Sequence, residues 1–336
     1  MGIIDNMIDS ARMTFGLKDA IFYKEDSDLQ ERYDVLKRLN EEYPNNEELM
    51  SAMYFVKKGL EGENEIAYQL KKSNIGMYIL RDIKVKYEDL TAQIDYVIIT
   101  PVFIYYVECK NLIGNITVNE KGDFIREYTI NGKKIKKGME SPLRQVEAQR
   151  EVIKKIWNSK ISVLDKFFAS KKFENYRRVL VVAANQDTIL NTEKAPKDIK
   201  YKILRADGLI RQIEYDIEHR NKNNDFVDSK KEMERTAETY LKLSVKENIN
   251  YYEYYKNKFC TNNIETNDNL KERLMDFRIK RSSEMNIPPY YVFTNEELDK
   301  LIELRPKTIE ELTNTNILPA IKIKTHGEKI ISIINE

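Results

Sequence analysis

The run Arg178-Val179-Leu180-Val181-Val182-Ala183-Ala184 is almost continuously apolar. A strand with one face in water alternates apolar and polar residues, so a run of this kind suits a strand buried on both faces of a sheet. Further strands are expected at Tyr78-Ile79-Leu80, Ile83-Lys84-Val85 and Ile94 to Ile99, and, after the turn at Pro101, from Val102 to Cys109. These stretches are rich in β-branched and aromatic residues. Ile113 to Val118 and Asp123 to Tyr128 form a pair around the Lys121-Gly122 turn, and Ser141-Pro142 opens a helix to about Trp157, with serine as cap and proline in the first helical position. Residues 80–205 therefore read as a mixed α/β unit.

Before this unit, residues 1–58 read as helical. Asp26-Ser27-Asp28 caps a helix to about Glu42, Pro44-Asn45-Asn46 breaks it, a second helix follows through Leu49, Met53 and Val56, and Lys58 to Leu70 is another amphipathic helix, opened by Gly59-Leu60-Glu61-Gly62-Glu63. After it, Met233 to Lys258 reads as one charged helix with a tyrosine-rich end. Thr261 to Asp268 is a polar boundary, and the remainder is a set of short helices separated by Pro288-Pro289, Pro306 and Pro319.

The chemistry that could be built here is narrow. Two cysteines and two histidines exclude a disulfide framework and a histidine- or cysteine-rich zinc site. Any metal must be held by carboxylates, which favours a hard cation, Mg2+ or Mn2+. The net charge of +1 announces no polyanion partner, so a nucleic-acid site must come from local clustering. Neither a Walker A loop nor a dinucleotide fingerprint is present. The N-terminal stretch is broken by Asp5, Asp9 and Arg12, and no apolar run is long enough to span a bilayer, so the chain is expected to be cytoplasmic.

Within the α/β unit, Gln93-Ile94-Asp95 precedes Val107-Glu108-Cys109-Lys110 by the length of one hairpin. Strand alternation points Glu108 and Lys110 to one face and Cys109 to the other, as a small buried residue. Folding the hairpin at Pro101 sets Asp95 beside Glu108. Two carboxylates side by side repel, a cost that a divalent cation between them removes. Lys110 could orient a water or offset charge on a reacting phosphate. The same three residues could also form a cross-strand ion pair on a solvated face, but Tyr96 to Ile99 and Phe103 to Val107 are too apolar for an exposed hairpin.

Gly59-Leu60-Glu61-Gly62-Glu63, Gln93-Ile94-Asp95, Val107-Glu108-Cys109-Lys110-Asn111, Gly114-Asn115-Ile116 and Ser141-Pro142-Leu143-Arg144-Gln145 follow one another in the order and spacing of the nuclease-related (NERD) domain, and the stretch from Gly59 to about Ile156 resembles it. The resemblance implies a PD-(D/E)XK nuclease fold, restriction-endonuclease-like. Asp95 and Glu108 would be metal ligands, joined by the carbonyl of Cys109, with Lys110 as catalytic lysine, Glu63 as supporting acid and Gln145 near the site. It also implies DNA hydrolysis that leaves a 5′-phosphate. From Leu270 to Ile334 the pattern Arg273, Arg278, Ile287-Pro288-Pro289-Tyr290-Tyr291-Val292-Phe293, Leu298, Arg305-Pro306-Lys307-Thr308-Ile309 resembles an HRDC domain, an all-α bundle that assists nucleic-acid binding in some proteins and binds protein in others. Asn316 stands where that family has a turn glycine, and asparagine tolerates the left-handed backbone.

The expected organisation is a helical segment over 1–57, the nuclease-like α/β domain over 58–230, a helical linker over 231–266 and the HRDC-like bundle over 267–336. Candidate nucleic-acid contacts are Lys133, Lys134, Lys136 and Lys137 after the Asn131-Gly132 turn, and Arg278, Lys280, Arg281, Lys322, Lys324 and Lys329 in the bundle. The cluster Tyr251, Tyr252, Tyr254 and Tyr255 either stacks on bases or seals a helix against its neighbour. DNA is the expected partner ahead of RNA, no membrane is expected, and a homo-oligomer and a protein partner stay open. The domain pairing fits defence or DNA repair. The rival readings are a weakly active or inactive nuclease fold that binds nucleic acid, and a protein that recruits partners.

Overall fold

The computed structural model describes residues 13, 16–130, 132–159, 173–221, 225–260, 269–285 and 287–335. Most of Met1 to Leu17, Asn131 of the expected hairpin turn and the 261–268 boundary lie outside them. Two compact units emerge: residues 1–28, 59–127 and 136–248 form one, and 29–58, 128–135 and 249–336 the other.

The first unit is built on a six-stranded mixed sheet of order β1-β2-β3-β4-β8-β10. Its strands are β1 (Ala20–Lys24), β2 (Met77–Tyr87), β3 (Leu90–Ile99), β4 (Ile104–Lys110), β8 (Arg177–Ala183) and β10 (Ile203–Arg205). The β2-β3-β4 meander is antiparallel, while β4, β8 and β10 run parallel. In β8, Val179 and Val181 enter one core and Leu180 and Val182 the other, which is why the run shows no alternation. One core is roofed by α3 (Pro142–Ser159) and α6 (Lys230–Leu243), the other by α2 (Glu47–Lys71) and α5 (Leu209–Glu218). Truncating Leu180 to alanine inside such a layer costs about 2–5 kcal/mol.

A smaller sheet of order β7-β6-β5-β9 joins β5 (Asn115–Val118), β6 (Phe124–Ile130), β7 (Lys133–Met139) and β9 (Leu190–Asn191), and α4 (Lys197–Lys200) follows it. Gly122 supplies the positive φ of 81° needed to turn β5 into β6.

Three expectations are corrected. Residues 20–24, expected as helix, form the strand β1, which pairs in parallel with Met77 to Leu80. The two expected helices after Pro44 are one helix, α2, capped by Asn46, whose Oδ1 accepts the Leu49 N–H at 3.0 Å. The single helix expected over 233–258 is two, α6 and α7 (Tyr251–Phe259). Between them Val245 N–H donates to the Lys84 carbonyl on β2 at 2.8 Å, drawing the chain out of the helix. Met233, Ala237 and Tyr240 of α6 are buried in the sheet's core, so the first half of the stretch expected as a linker packs with the α/β unit.

In the second unit, α1 (Asp28–Glu42) and the first part of α2 close a small core on Leu36, Leu39, Leu49 and Val56 with Tyr251 and Tyr255 of α7. Two of the four tyrosines thus seal a helix, and Tyr252 donates to Glu42 at 2.6 Å. The C-terminal bundle comprises α8 (Asn269–Glu284), α9 (Asn295–Leu304), α10 (Ile309–Asn314) and α11 (Ala320–Asn335). Thr294 and Glu297 form a capping box on α9, Thr308 caps α10, and Asn316 takes a φ of 51°.

His326 of α11 is buried against Phe277, with burial as the largest cause and the charges of Arg281 and Lys322 next pulling its pKa down to about 4. An unfolded histidine takes up its proton near pH 6.5, whereas this folded one refuses it. Its contribution to stability is therefore whole above pH 6.5 and is lost as pH falls towards 4. Hydrogen-exchange protection of α8 and α11 is expected to decline through that window, and the decline to flatten in His326→Leu.

Candidate active site

Register explains why two acids sit inside a buried sheet. Pairing of β2 with β3 steps from Arg81↔Tyr96 to Ile83↔Ile94 over Asp82 and Asp95. Asp82 has a φ of 53°, the left-handed conformation that aspartate tolerates better than most residues. The apolar alternation slips there in both strands: Tyr78 and Leu80 share a core with Ile83 and Val85, as Val97 and Ile99 do with Ala92 and Ile94. On the other side, pairing of β3 with β4 ends at Tyr96↔Val107, while β4 continues along β8 to Lys110↔Ala183. Asp95 lies where the ladders on both sides give way. Its Oδ2 accepts the Cys109 N–H at 2.7 Å, a side-chain bond in place of a ladder bond.

Glu108 and Lys110 share a face as alternation requires. The Lys110 ammonium donates to Glu108 Oε1 at 2.6 Å and to Gln145 Oε1 at 3.0 Å. One turn further along α3, Gln149 Nε2 donates to Glu108 Oε2 at 3.2 Å. Glu108 is only 3% exposed, and Lys110 covers its outer side. Cys109 turns to the opposite core, and burial, followed by the charges of Asp95 and Glu63, pushes its thiol well above the usual range, which disfavours a thiolate.

Glu63 is fixed more tightly than a supporting acid needs to be. Its Oε2 accepts from Arg81 Nε at 2.7 Å and from Ser27 Oγ at 3.0 Å, and Tyr96 donates to its backbone carbonyl at 2.7 Å. The ion pair is buried on both sides. Burial raises the Glu63 pKa, with Arg81 opposing that rise. The residue just before it, Gly62, presses on the end of β4: an added Cβ would lie 2.6 Å from Asn111 Cβ and 3.1 Å from Cys109 Sγ.

Asp95 carries the strongest electrostatic signature of the site. Burial first, then the charge of Glu108, then that of Glu63, hold its pKa well above the carboxylate range, against the Cys109 N–H and Lys110. Asp95, Glu108, Lys110 and Gln145 are thus brought together, with oxygen donors only. Among the described residues no three histidines, cysteines or acids form a metal-holding group. Gln149 escaped the sequence reading. Its signal was the spacing of one helical turn from Gln145.

The basic candidates divide. Lys133, Lys134, Lys136 and Lys137 are exposed on β7, with Lys136 paired to Glu127 at 2.6 Å. Lys280, Lys324 and Lys329 are exposed in the bundle. Arg281 pairs with Glu284 at 3.0 Å and Lys322 with Glu297 at 2.6 Å. Arg278 is 2% exposed and serves the core instead: it donates to the Phe293 carbonyl and to Asn295 Oδ1, both at 2.8 Å, and pairs with Glu47.

A comparison with protein-family models matches residues 58–182 to NERD, the nuclease-related domain, and residues 267–334 to the HRDC domain. Searches of curated proteins and of solved structures return no match. No helix among the described residues is long and apolar enough to cross a membrane.

A raised folded pKa makes the Asp95 charge a cost to the cation-free protein: stability is lost as pH rises from the ordinary carboxylate range through the folded value. Asp95→Asn, which keeps an acceptor for the Cys109 N–H, is expected to raise the melting temperature at neutral pH by about 2–4 °C per kcal/mol relieved. Calorimetry should show that gain vanish near pH 4, about where a free aspartate takes its proton. Gly62→Ala would gain about 1 kcal/mol in an open helix. Here overpacking against β4 is expected to reverse that to a net loss of about 1–3 kcal/mol, read from urea unfolding.

Proposed function

We propose, from the premise that this chain joins a nuclease-related domain to an HRDC domain, that it is a divalent-cation-dependent nuclease hydrolysing phosphodiester bonds of DNA. The observation that carries the reading is the convergence of Asp95, Glu108 and Lys110 where the sheet's ladders open, with the Asp95 charge penalised by burial and by Glu108. A hard cation fits that donor set: Mg2+ takes one or two carboxylates and fills its remaining positions with water and phosphate oxygens. Asp95, Glu108 and the main-chain carbonyl of Cys109 would hold it. Once bound, Mg2+ or Mn2+ supplies Lewis-acid stabilisation of phosphate charge and lowers the pKa of water.

The residues of the chain do the rest. In hydrolysis the water oxygen bonds to phosphorus as the ester bond breaks opposite it, leaving a 5′-phosphate and a 3′-hydroxyl. Lys110 is a fixed ammonium beside the carboxylates, placed to donate to a phosphate oxygen as charge builds there. Gln145 orients that ammonium, and Gln149 orients Glu108. The Glu63–Arg81 pair holds α2 against the strand that carries Asp82. The exposed lysines of β7, with Lys280 and Lys324 of the bundle, supply sequence-independent attraction for phosphates.

The test is cleavage of plasmid, linear duplex and single-stranded DNA with Mg2+ or Mn2+. The parent is expected to cut, and folded Lys110→Ala and Asp95→Ala to lose about 100-fold or more of that rate. A parent that binds DNA in a salt-sensitive way but leaves every substrate intact overturns cleavage and leaves a binding protein.

A further inference from the structure

The α/β unit holds a concave site away from these acids. Gln145 and Gln149 lie in the first turns of α3, and a cleft of about 180 Å³ opens beside its last turns, between Trp157 on α3 and Tyr240 and Leu243 on α6. Gln149 and Trp157 are separated by about 12 Å along the helix axis. The cleft is predominantly apolar, yet two of its lining residues are Arg177 and Arg235, and none is a carboxylate.

Arg177 is the unusual member. It opens β8, is 8% exposed, and its guanidinium carbon lies 4.4 Å from the ring centres of both Trp157 and Phe173. It lies beside the hydroxyls of Tyr240 and Tyr106, which bond to each other at 2.5 Å, but among the described residues its buried Nε has no hydrogen-bond partner and no carboxylate pairs with it. A buried guanidinium donor left unmatched beside an apolar cleft calls for an anion. The apolar walls call for a hydrocarbon body. A cavity of about 150 Å³ holds a benzene ring.

We propose that this cleft binds a small organic anion, a carboxylate or phosphate ester on an apolar body about the size of one six-membered ring. Its acid group takes the Arg177 N–H and the Arg235 charge, and its body lies against Trp157 and Leu243. The inference does not rest on nuclease activity.

Trp157 is the only tryptophan in the chain, so its fluorescence reads the cleft directly in the full-length protein. Cyclohexanecarboxylate and cyclohexyl phosphate are the probes, and whichever binds more tightly names the acid group. A saturable change in emission is expected with at least one of them. Cyclohexylmethanol is expected to bind at least tenfold more weakly, and acetate and inorganic phosphate at matched ionic strength to give no saturation. Arg177→Met tests the acid contact. Because that change removes a buried guanidinium packed on two rings, Thr239→Phe, which fills the cleft from α6, and Arg235→Gln serve as milder variants, expected to weaken binding at least tenfold and several-fold. A linear or absent response, equal binding of the neutral alcohol, or a response indifferent to Thr239→Phe overturns the proposal.

Discussion

The Glu63–Arg81 ion pair is the contact on which the arrangement of the first unit turns. Both partners are buried, and removing one alone strands the other charge in the core, a loss of about 3–5 kcal/mol in comparable pairs. The pair fixes α2 at one height over β2. The next residue along β2, Asp82, then adopts its left-handed turn and accepts from Gln93 and from the Asp28 N–H. At that turn the pairing of β2 with β3 is interrupted, the apolar residues shift between cores, and Asp95 lies across from Asp82. The acidic centre is thus a defect that the sheet is built to contain.

Function-bearing residues here differ in how much freedom they retain. Lys110 ties Glu108 to Gln145, and Gln149 takes the second oxygen of Glu108, so each carboxylate oxygen of Glu108 is already oriented. Asp95 has one oxygen spoken for by a backbone amide and the other without such a bond. Of the two acids it is the one with affinity to offer, and it is also the one whose charge the fold resists most. Stability and reactivity pull in opposite directions at a single residue.

Much of this was legible in the chain. Apolar runs located the central strands because burial on two faces leaves an unmistakable composition, and strand alternation placed Glu108 with Lys110 and apart from Cys109. What escaped was set by tertiary contacts. The strand Ala20–Lys24 is short and half-buried, so no alternation marks it, and only pairing with Met77 to Leu80 makes it a strand. Gly59 and Gly62 looked like the start of a helix, yet packing carries α2 straight through them. The burial of Arg278 cannot be read from its neighbours in sequence, because its partners are Phe293, before the next helix, and Asn295, its first residue. Where 233–258 divides into two helices, the chain bonds to β2 through Val245, a partner that the local sequence does not show.

Gly62 sets the distance between α2 and the last residues of β4 by having nothing to put there. A helix face that is merely small can be repacked by its neighbours, but a face that is absent cannot be made smaller. The spacing between the helix bearing Glu63 and the strand bearing Glu108 and Lys110 is therefore already at its lower limit, and drift at this position can only push the two elements apart. The gauge of the acidic centre is kept by a hydrogen atom, and every larger residue would widen it.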